Sequence, residues 1–85
     1  MIFRIFYNNK IIGKVDLLPD DFSLQEVSDT AHSEKLESFM RASYADGISV
    51  WAQDGKLQSK PLMPSDHRFP LYLSEKLLNL GYTLK

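Results

Sequence analysis

The chain has 85 residues, of which 44% are hydrophobic and 25% are charged, a composition that suits one globular domain and is too short for two. Ten basic against eleven acidic residues give a net charge of −1, so there is no overall field of either sign to attract nucleic acid or an anionic membrane. The absence of cysteine excludes disulfide bonds and thiolate metal sites, and no apolar run approaches the roughly 20 residues that span a bilayer. These features predict a cytoplasmic protein with a single domain over residues 1–85.

The N-terminal sequence MIFRIFYNNKIIG predicts the first part of a β-hairpin rather than a signal peptide, because Arg4 and Lys10 interrupt its apolar residues. Strands are expected over 2–7 and 11–17, which are rich in Ile, Phe, Tyr and Val. The asparagines between them tolerate the left-handed conformation that tight hairpin loops require.

The length of this first loop decides which side chains face the core. A three-residue loop at 8–10 gives one face the side chains Phe3, Ile5, Tyr7, Ile11, Gly13 and Val15. A two-residue loop reverses the faces of the second strand and leaves apolar groups on both sides of the sheet. The alternation of polar and apolar residues favours the three-residue loop, although Phe6 and Ile12 need cover in both versions.

A short helical turn is expected over 24–30, after a turn at 19–21 that ends the hairpin. Ser23 and Glu26 have the spacing of a capping box, in which the serine side chain accepts a hydrogen bond from the glutamate amide and the glutamate side chain reaches back. The sequence SLQE therefore predicts the start of a helix.

Two apolar stripes in this region point about 150° apart at helical spacing, so one straight helix cannot bury both. The first stripe comprises Leu24, Val27 and Ala31, and the second comprises Leu36, Phe39, Met40 and Tyr44. A break is therefore expected at 32–33, where His32 lies. The principal helix is predicted over 34–45, with Gly47 just beyond its C-terminal end.

Asp54 and Gly55 predict a second β-hairpin over 48–60, because a type I′ turn requires positive φ at both central residues. This turn places Ala52 opposite Leu57. One face then carries Ile48, Val50, Ala52 and Leu57. The other face carries Ser49, Trp51, Gln53, Lys56, Gln58 and Lys60. The only tryptophan is thus expected on a polar, exposed face.

A proline-containing loop over 61–70 precedes a second helix that begins at Pro70, where a missing N–H is tolerated. The buried stripe of this helix is Leu73, Leu77 and Leu80, joined by Leu78. Gly81 ends the helix, and 82–84 predict a short final strand. The element order β-β-α-β-β-α-(β) indicates an α+β fold, with a mostly antiparallel sheet of four or five strands and both helices packed on one face.

Asp66, His67 and Arg68 form the one cluster that resembles catalytic machinery. His67 could act as a general base oriented by Asp66, while Arg68 holds an anion, so a small enzyme using His67 is one hypothesis. The favoured interpretation is a solvated loop, because adjacent residues in an extended loop point in different directions. His32 and His67 lack the spacing of a metal site, and the isolated glycines form no phosphate-binding loop. The sequence therefore predicts no enzyme activity, no metal and no cofactor.

Residues 16–37 carry seven acidic side chains and one basic side chain, a net charge of −6, while the rest of the chain carries +5. The acidic residues are Asp16, Asp20, Asp21, Glu26, Asp29, Glu34 and Glu37. Such a segment could dock on a basic partner or imitate nucleic-acid phosphate. The favoured interpretation is that these residues cap helices and turns.

An apolar excess on both sheet faces, in a chain with two short helices, favours a non-enzymatic interaction protein that regulates or inhibits a larger protein. The predicted partner-binding residues are Phe6, Trp51, Gln53, Lys56 and Gln58. A homodimer through the same face is one form that this contact can take. The alternative function is binding of single-stranded nucleic acid by Lys14, Lys56 and Lys60, with Trp51 and also Phe6 as candidate stacking residues. The favoured interpretation of Trp51 opposes both functions: the indole covers the edge of the sheet or packs beneath the 61–70 loop, because large aromatic side chains are mostly buried.

Overall fold

Two helices and an antiparallel sheet make up the fold of the described residues, which are 1–51, 54–57 and 59–85 of the computed structural model. The helices are α1 (Thr30–Asp46) and α2 (Phe69–Asn79). Their buried residues join the inward side chains of the sheet in one hydrophobic core, so both helices lie on the same face. The predicted α+β fold, with two helices on one side of an antiparallel sheet, is confirmed.

The strands β1 (Ile2–Tyr7) and β2 (Lys10–Leu17) form a hairpin at the centre of the sheet. In the described part of the chain, β3 (Phe22–Gln25) and β4 (Tyr82–Leu84) complete a four-stranded sheet in the order β3-β2-β1-β4. Each neighbouring pair is antiparallel. The chain order is therefore β-β-β-α-α-β, which differs from the predicted order because the third strand precedes the first helix.

The first hairpin has two registers, because a β-bulge separates the part near the turn from the rest of the strands. The part near the turn has the register of a two-residue loop, and the rest has the register that a three-residue loop would give. Asn8 and Asn9 have φ angles of 51° and 64° and form a two-residue turn, so the predicted three-residue loop is wrong. The register shifts after Ile5, which lies opposite Gly13, the pairing that the three-residue loop required. The extra residue at the shift is Ile12, and its side chain is buried in the core.

The strand β3 occupies the position of the predicted capping box and of the helical turn over 24–30, and this prediction is wrong. Phe22 and Leu24 both pack toward the core, and Leu24 lies opposite Val15 of β2. Burial of every second side chain favours a strand over the helix that the capping-box spacing of SLQE predicts. A strand here also forms hydrogen bonds with the backbone of β2, which would otherwise lack a neighbour on that side. Glu26, with a φ of 55°, ends the strand.

The helix α1 passes through 32–33 without the predicted break. Its N-cap is Asp29, whose Oδ1 accepts hydrogen bonds from the amides of Ala31 at 2.8 Å and His32 at 3.4 Å. No break is needed because most of the first apolar stripe lies in β3 and the connecting segment, outside the helix. Gly47, with a φ of 78°, ends the helix as predicted.

The helix α2 and the strand β4 lie where the sequence predicts them. Pro70 occupies the first turn of α2, where its missing N–H leaves no hydrogen bond unmade. The buried side chains of the helix are Phe69, Leu73 and Leu77, whereas Leu78, predicted to join the buried stripe, is 60% exposed. Gly81, with a φ of 94°, redirects the chain into β4. These local signals are sufficient to predict α2 and β4, because each is strong and no alternative element is favoured at the same residues.

The second predicted hairpin forms isolated bridges rather than paired strands within the described residues. Ile48 and Leu62 exchange two backbone hydrogen bonds of 2.8 Å, and both side chains are buried. Trp51 lies opposite Leu57, so the predicted pairing of Leu57 with Ala52 is wrong by one residue. The predicted strand positions at Ala52, Gln53 and Gln58 lie outside the described residues.

The two bridges have different registers, which explains the missing ladder. Ile48 and Trp51 are three residues apart in the sequence, whereas their bridge partners Leu62 and Leu57 are five residues apart. A continuous ladder would require equal separations. Burial of Ile48 and Leu62 sets the register at the base of the segment, and the turn sets another at its tip. Leu57, predicted to face the core, is exposed beside Trp51 as a result.

Replacement of Gly47 by alanine is expected to destabilise the fold more than the same change at Gly55. Both glycines have positive φ, 78° and 81°, so each substitution strains the backbone. A Cβ at Gly47 would lie 2.8 Å from the Leu62 carbonyl oxygen and from the Met63 sulfur, whereas a Cβ at Gly55 would meet nothing within 4 Å. Gly47→Ala should therefore lower the free energy of unfolding by about 2–4 kcal/mol, measured by urea denaturation, and Gly55→Ala by about half as much. Equal losses in the two variants would contradict this packing.

Candidate functional site

The only tryptophan of the chain lies at the surface. The side chain of Trp51 is 66% exposed, while that of the preceding Val50 is 4% exposed. Alternation along this stretch directs Val50 into the core and Trp51 outward, as the sequence predicts. The interpretation that Trp51 packs beneath the 61–70 loop is therefore wrong.

Trp51 lies against the outer side of α2. A shallow cavity of about 200 Å³ beside the indole is lined by Ser49, Val50, Trp51, Tyr72, Glu75 and Lys76. On the helix surface Leu71 is one turn before Glu75 and Leu78 is one turn after it. Both leucines are 60% exposed, so the side of α2 that carries Glu75 presents apolar side chains that the core does not bury.

We define the Trp51 surface as Trp51, Leu57, Leu71 and Leu78, each of which is more than half exposed. Leu57 belongs to this surface because it lies opposite Trp51 across a backbone bridge. Several large apolar side chains exposed together mark an interaction site, since isolated ones are common on any protein.

The structure separates the residues that the sequence assigns to one partner-binding face. Lys56 is exposed next to Leu57, at the border of the Trp51 surface. Phe6 lies on β1 opposite Ile11, on the sheet face that the helices leave uncovered. Gln53 and Gln58 lie outside the described residues.

Leu71 and Leu78 are site residues that the sequence reasoning does not identify. The signal is nevertheless present, because α2 carries Leu71, Leu73, Leu77 and Leu78, more leucines than one helix face can bury. Leu73 and Leu77 are buried, so the other two point away from the core.

The sheet face opposite the helices, here called the open face, carries a row of basic side chains. The Lys85 amide donates to the Arg4 carbonyl oxygen at 2.9 Å, and Lys14 lies opposite Arg4 on β2. Two positions along β1 lies Phe6, with Ile11 opposite it. The Arg4 Cζ and the Lys85 Nζ are 5.8 Å and 5.2 Å from the centre of the Phe6 ring.

The lysines that the sequence assigns to nucleic-acid binding lie on two different surfaces. Lys14 is on the open face, where its Nζ is 3.3 Å from Oε2 of Glu26. Lys56 and Lys60 are exposed on the 47–62 segment, whose buried side chains belong to the core on the helix side of the sheet. A single stacking face that contains all three lysines and Trp51 does not form.

Five of the seven acidic residues in 16–37 have local structural contacts. Asp29 caps α1, and Asp21 accepts a hydrogen bond from the Phe22 amide at 2.8 Å. Three others form ion pairs, namely Asp16 with the N-terminal ammonium, Glu26 with Lys14, and Glu37 with Arg41. Asp29 and Asp21 support the interpretation that acidic residues serve caps and turns, whereas the other three balance the charge of basic groups.

Asp66 is bound to Arg68 rather than to His67. One carboxylate oxygen accepts hydrogen bonds from the Arg68 amide at 2.9 Å and Nε at 3.1 Å, and the other accepts one from Nη2 at 2.9 Å. His67 Nδ1 is 3.7 Å from the carboxylate, beyond hydrogen-bond distance, and its side chain is 92% exposed. Hydrogen bonds from Arg68 lower the pKa of Asp66 to about 2. The carboxylate therefore organises the loop and does not orient the imidazole.

A largely apolar cavity of about 260 Å³ adjoins this loop. Leu18, Tyr44, Asp66 and His67 are among the residues that line it. The Tyr44 hydroxyl donates to the Leu18 carbonyl oxygen at 2.9 Å, and burial raises the pKa of Tyr44 to about 12. Tyr44 is therefore neutral near pH 7 and ties α1 to the end of β2.

His32 lies in the first turn of α1, in contact with two tyrosines. Its Nδ1 shares a hydrogen bond of 2.7 Å with the Tyr82 hydroxyl, and its ring centre is 4.6 Å from that of Tyr7. Tyr82 is fully buried, and this burial raises its pKa. The contacts join α1 to β1 and β4. Among the described residues, no three His, Cys, Asp or Glu side chains are arranged to hold a metal ion.

Comparison with known protein families, with curated proteins and with solved structures finds no significant match to this chain. Neither helix in the described part of the chain is long and apolar enough to cross a membrane. Evidence about function therefore comes from the exposed surfaces themselves.

Arg68→Gln is expected to raise the pKa of Asp66 from about 2 toward its ordinary value of 3.8, because the guanidinium hydrogen bonds are lost. The pKa of Asp66 is lower in the folded than in the unfolded state, so its ionised form stabilises the fold above about pH 4. This stabilisation disappears as the pH falls to about 2. An NMR titration of the carboxyl carbon measures the midpoint directly.

Arg41→Gln provides a matched control, because it removes a guanidinium paired with a different carboxylate, that of Glu37. It should leave the Asp66 titration unchanged. An Asp66 midpoint in Arg68→Gln equal to that of the wild type would contradict the described hydrogen bonds.

Proposed function

We propose that this chain is a non-enzymatic interaction protein that regulates or inhibits a larger protein, which it binds through the Trp51 surface. The observation that carries the proposal is the 66% exposure of Trp51 beside a residue that is 4% exposed. A cytoplasmic location accompanies the proposal, because a chain without cysteine suits a reducing compartment.

The residues that precede Trp51 are anchored in the core, which favours binding. Val50 is buried, and Ile48 is hydrogen-bonded to Leu62. An aromatic side chain on a held backbone loses little conformational entropy when a partner covers it. Burial of the exposed part of the indole would contribute about 3–4 kcal/mol, which is the scale of residues that dominate interfaces.

Charged side chains border the apolar centre of this surface. Glu75 and Lys76 of α2 lie beside the indole, and Lys56 adjoins Leu57. An apolar centre within a polar border is the usual arrangement of protein interfaces. The partner is expected to offer an apolar pocket for the indole, with carboxylates placed near the lysines.

The surroundings of His67 support a non-enzymatic function. Asp66 is engaged with Arg68, and the His67 imidazole is 92% exposed with its Nδ1 3.7 Å from the carboxylate, so Asp66 does not orient the ring. General-base catalysis requires an oriented acceptor within hydrogen-bond reach of its proton donor.

Trp51→Ser is expected to weaken partner binding by at least about 30-fold, because central tryptophans contribute 2 kcal/mol or more. The immobilised chain is incubated with an extract of its source cells, the retained protein is purified, and its affinity is measured by isothermal titration calorimetry. The substitution should change the free energy of unfolding by less than about 1 kcal/mol, since the side chain is mostly exposed.

Ile11→Ser is the matched control, because Ile11 is an apolar side chain 53% exposed on the open face. It should retain the partner that Trp51→Ser loses. Retention of the same proteins by the wild type and by Trp51→Ser would contradict the proposed site. Sedimentation equilibrium tests whether the Trp51 surface binds a second copy of the chain. A dimer that Trp51→Ser disrupts would show that it does, in place of a different partner.

A further inference from the structure

The open face places three cations in register across three strands. Lys85 and Lys14 flank Arg4 on the two sides of β1. Neighbouring strands are about 4.8 Å apart, so the row spans roughly 10 Å. Like charges directly opposite one another are unfavourable in the free protein. Lys14 is paired with Glu26, so a bound polyanion would chiefly relieve the repulsion between Arg4 and Lys85.

Positive charge on this face is uncompensated close to Phe6. The ion pairs that the described residues form here join Lys14 to Glu26 and the N-terminal ammonium to Asp16. Arg4 and Lys85 instead approach the Phe6 ring, at 5.8 Å and 5.2 Å from its centre. Two cationic groups and an aromatic ring thus lie together on a sheet face that neither helix of the described residues covers.

We propose that the open face binds single-stranded nucleic acid, with Phe6 stacking on a base while Arg4 and Lys85 contact phosphates. Single strands offer both features that the face can recognise, namely a chain of negative charges and planar rings that are free to stack. The bases of a duplex are stacked within the helix and cannot reach a ring on a sheet. A carboxylate-rich protein segment would match the cations but would leave the ring without a planar partner.

This site is independent of the Trp51 surface. The open face lies on the side of the sheet away from the helices, whereas Trp51 lies against the outer side of α2. Substitutions on one surface should therefore leave binding at the other unchanged. The two proposals can fail separately.

Fluorescence anisotropy with a labelled oligothymidine of about 15 nucleotides tests the proposal on the full chain. Affinity is expected to fall as salt rises from about 50 to 200 mM, and Arg4→Gln should reduce the slope of log K against log salt by about 0.7. Phe6→Leu keeps an apolar side chain but removes the ring, and should weaken binding roughly 5- to 100-fold. Thermal melting verifies that each variant is folded.

The double variant Lys56→Gln, Lys60→Gln is the matched control, because it removes positive charge from the 47–62 segment instead of the open face. Retained affinity in this control, with losses in Arg4→Gln and Phe6→Leu, would support the proposal. Equal losses in the control and in Arg4→Gln, or no binding at low salt, would overturn it. Binding to phosphatidylserine vesicles without binding to the oligonucleotide would also overturn it, in favour of a lipid surface.

Discussion

Packing of both helices against one face of the sheet is the constraint on which the rest of the structure depends. Ile5 and Val15 of the sheet, with Leu36 and Met40 of α1 and Leu73 and Leu77 of α2, are completely buried. Each such side chain contributes about 1.5–3 kcal/mol when it leaves water, so this layer is the main source of stability. Helices of 17 and 11 residues cover one side of the sheet, and its other side stays open.

The two exposed surfaces arise from this arrangement in different ways. The open face exists because both helices lie on the opposite side, and cross-strand register then aligns its cations beside Phe6. The Trp51 surface exists because α2 carries more leucines than its core-facing side can bury and because alternation after Ile48 turns the indole outward. Their chemistry differs accordingly, since one surface is cationic with a single ring and the other is apolar with a charged border.

Local sequence signals determined the elements in which they met no competition. Gly47 ends α1, and Pro70 and Gly81 delimit α2, because each residue has a backbone preference that few alternatives satisfy. The capping-box pattern of SLQE failed where pairing with β2 was available, because inward packing of Phe22 and Leu24 outweighs a side-chain cap. The strand registers were the least predictable feature. The bulge in the first hairpin turns the Ile12 side chain into the core, and the residues that cover Ile12 there come from other parts of the chain.

The sequence by itself determined the α+β class, the first hairpin and both helices in outline, because periodicity and turn residues act over short distances. It left the exposure of Trp51 open, since that depends on which elements pack around the indole. Only the tertiary structure decided which exposed residues are neighbours. It placed Trp51 beside Tyr72, Glu75 and Lys76 of α2, put Phe6 on the opposite side of the sheet, and brought Lys85 alongside Arg4. Which exposed residues become neighbours depends on helix packing and strand order. Both are determined by contacts between residues that are distant in the sequence.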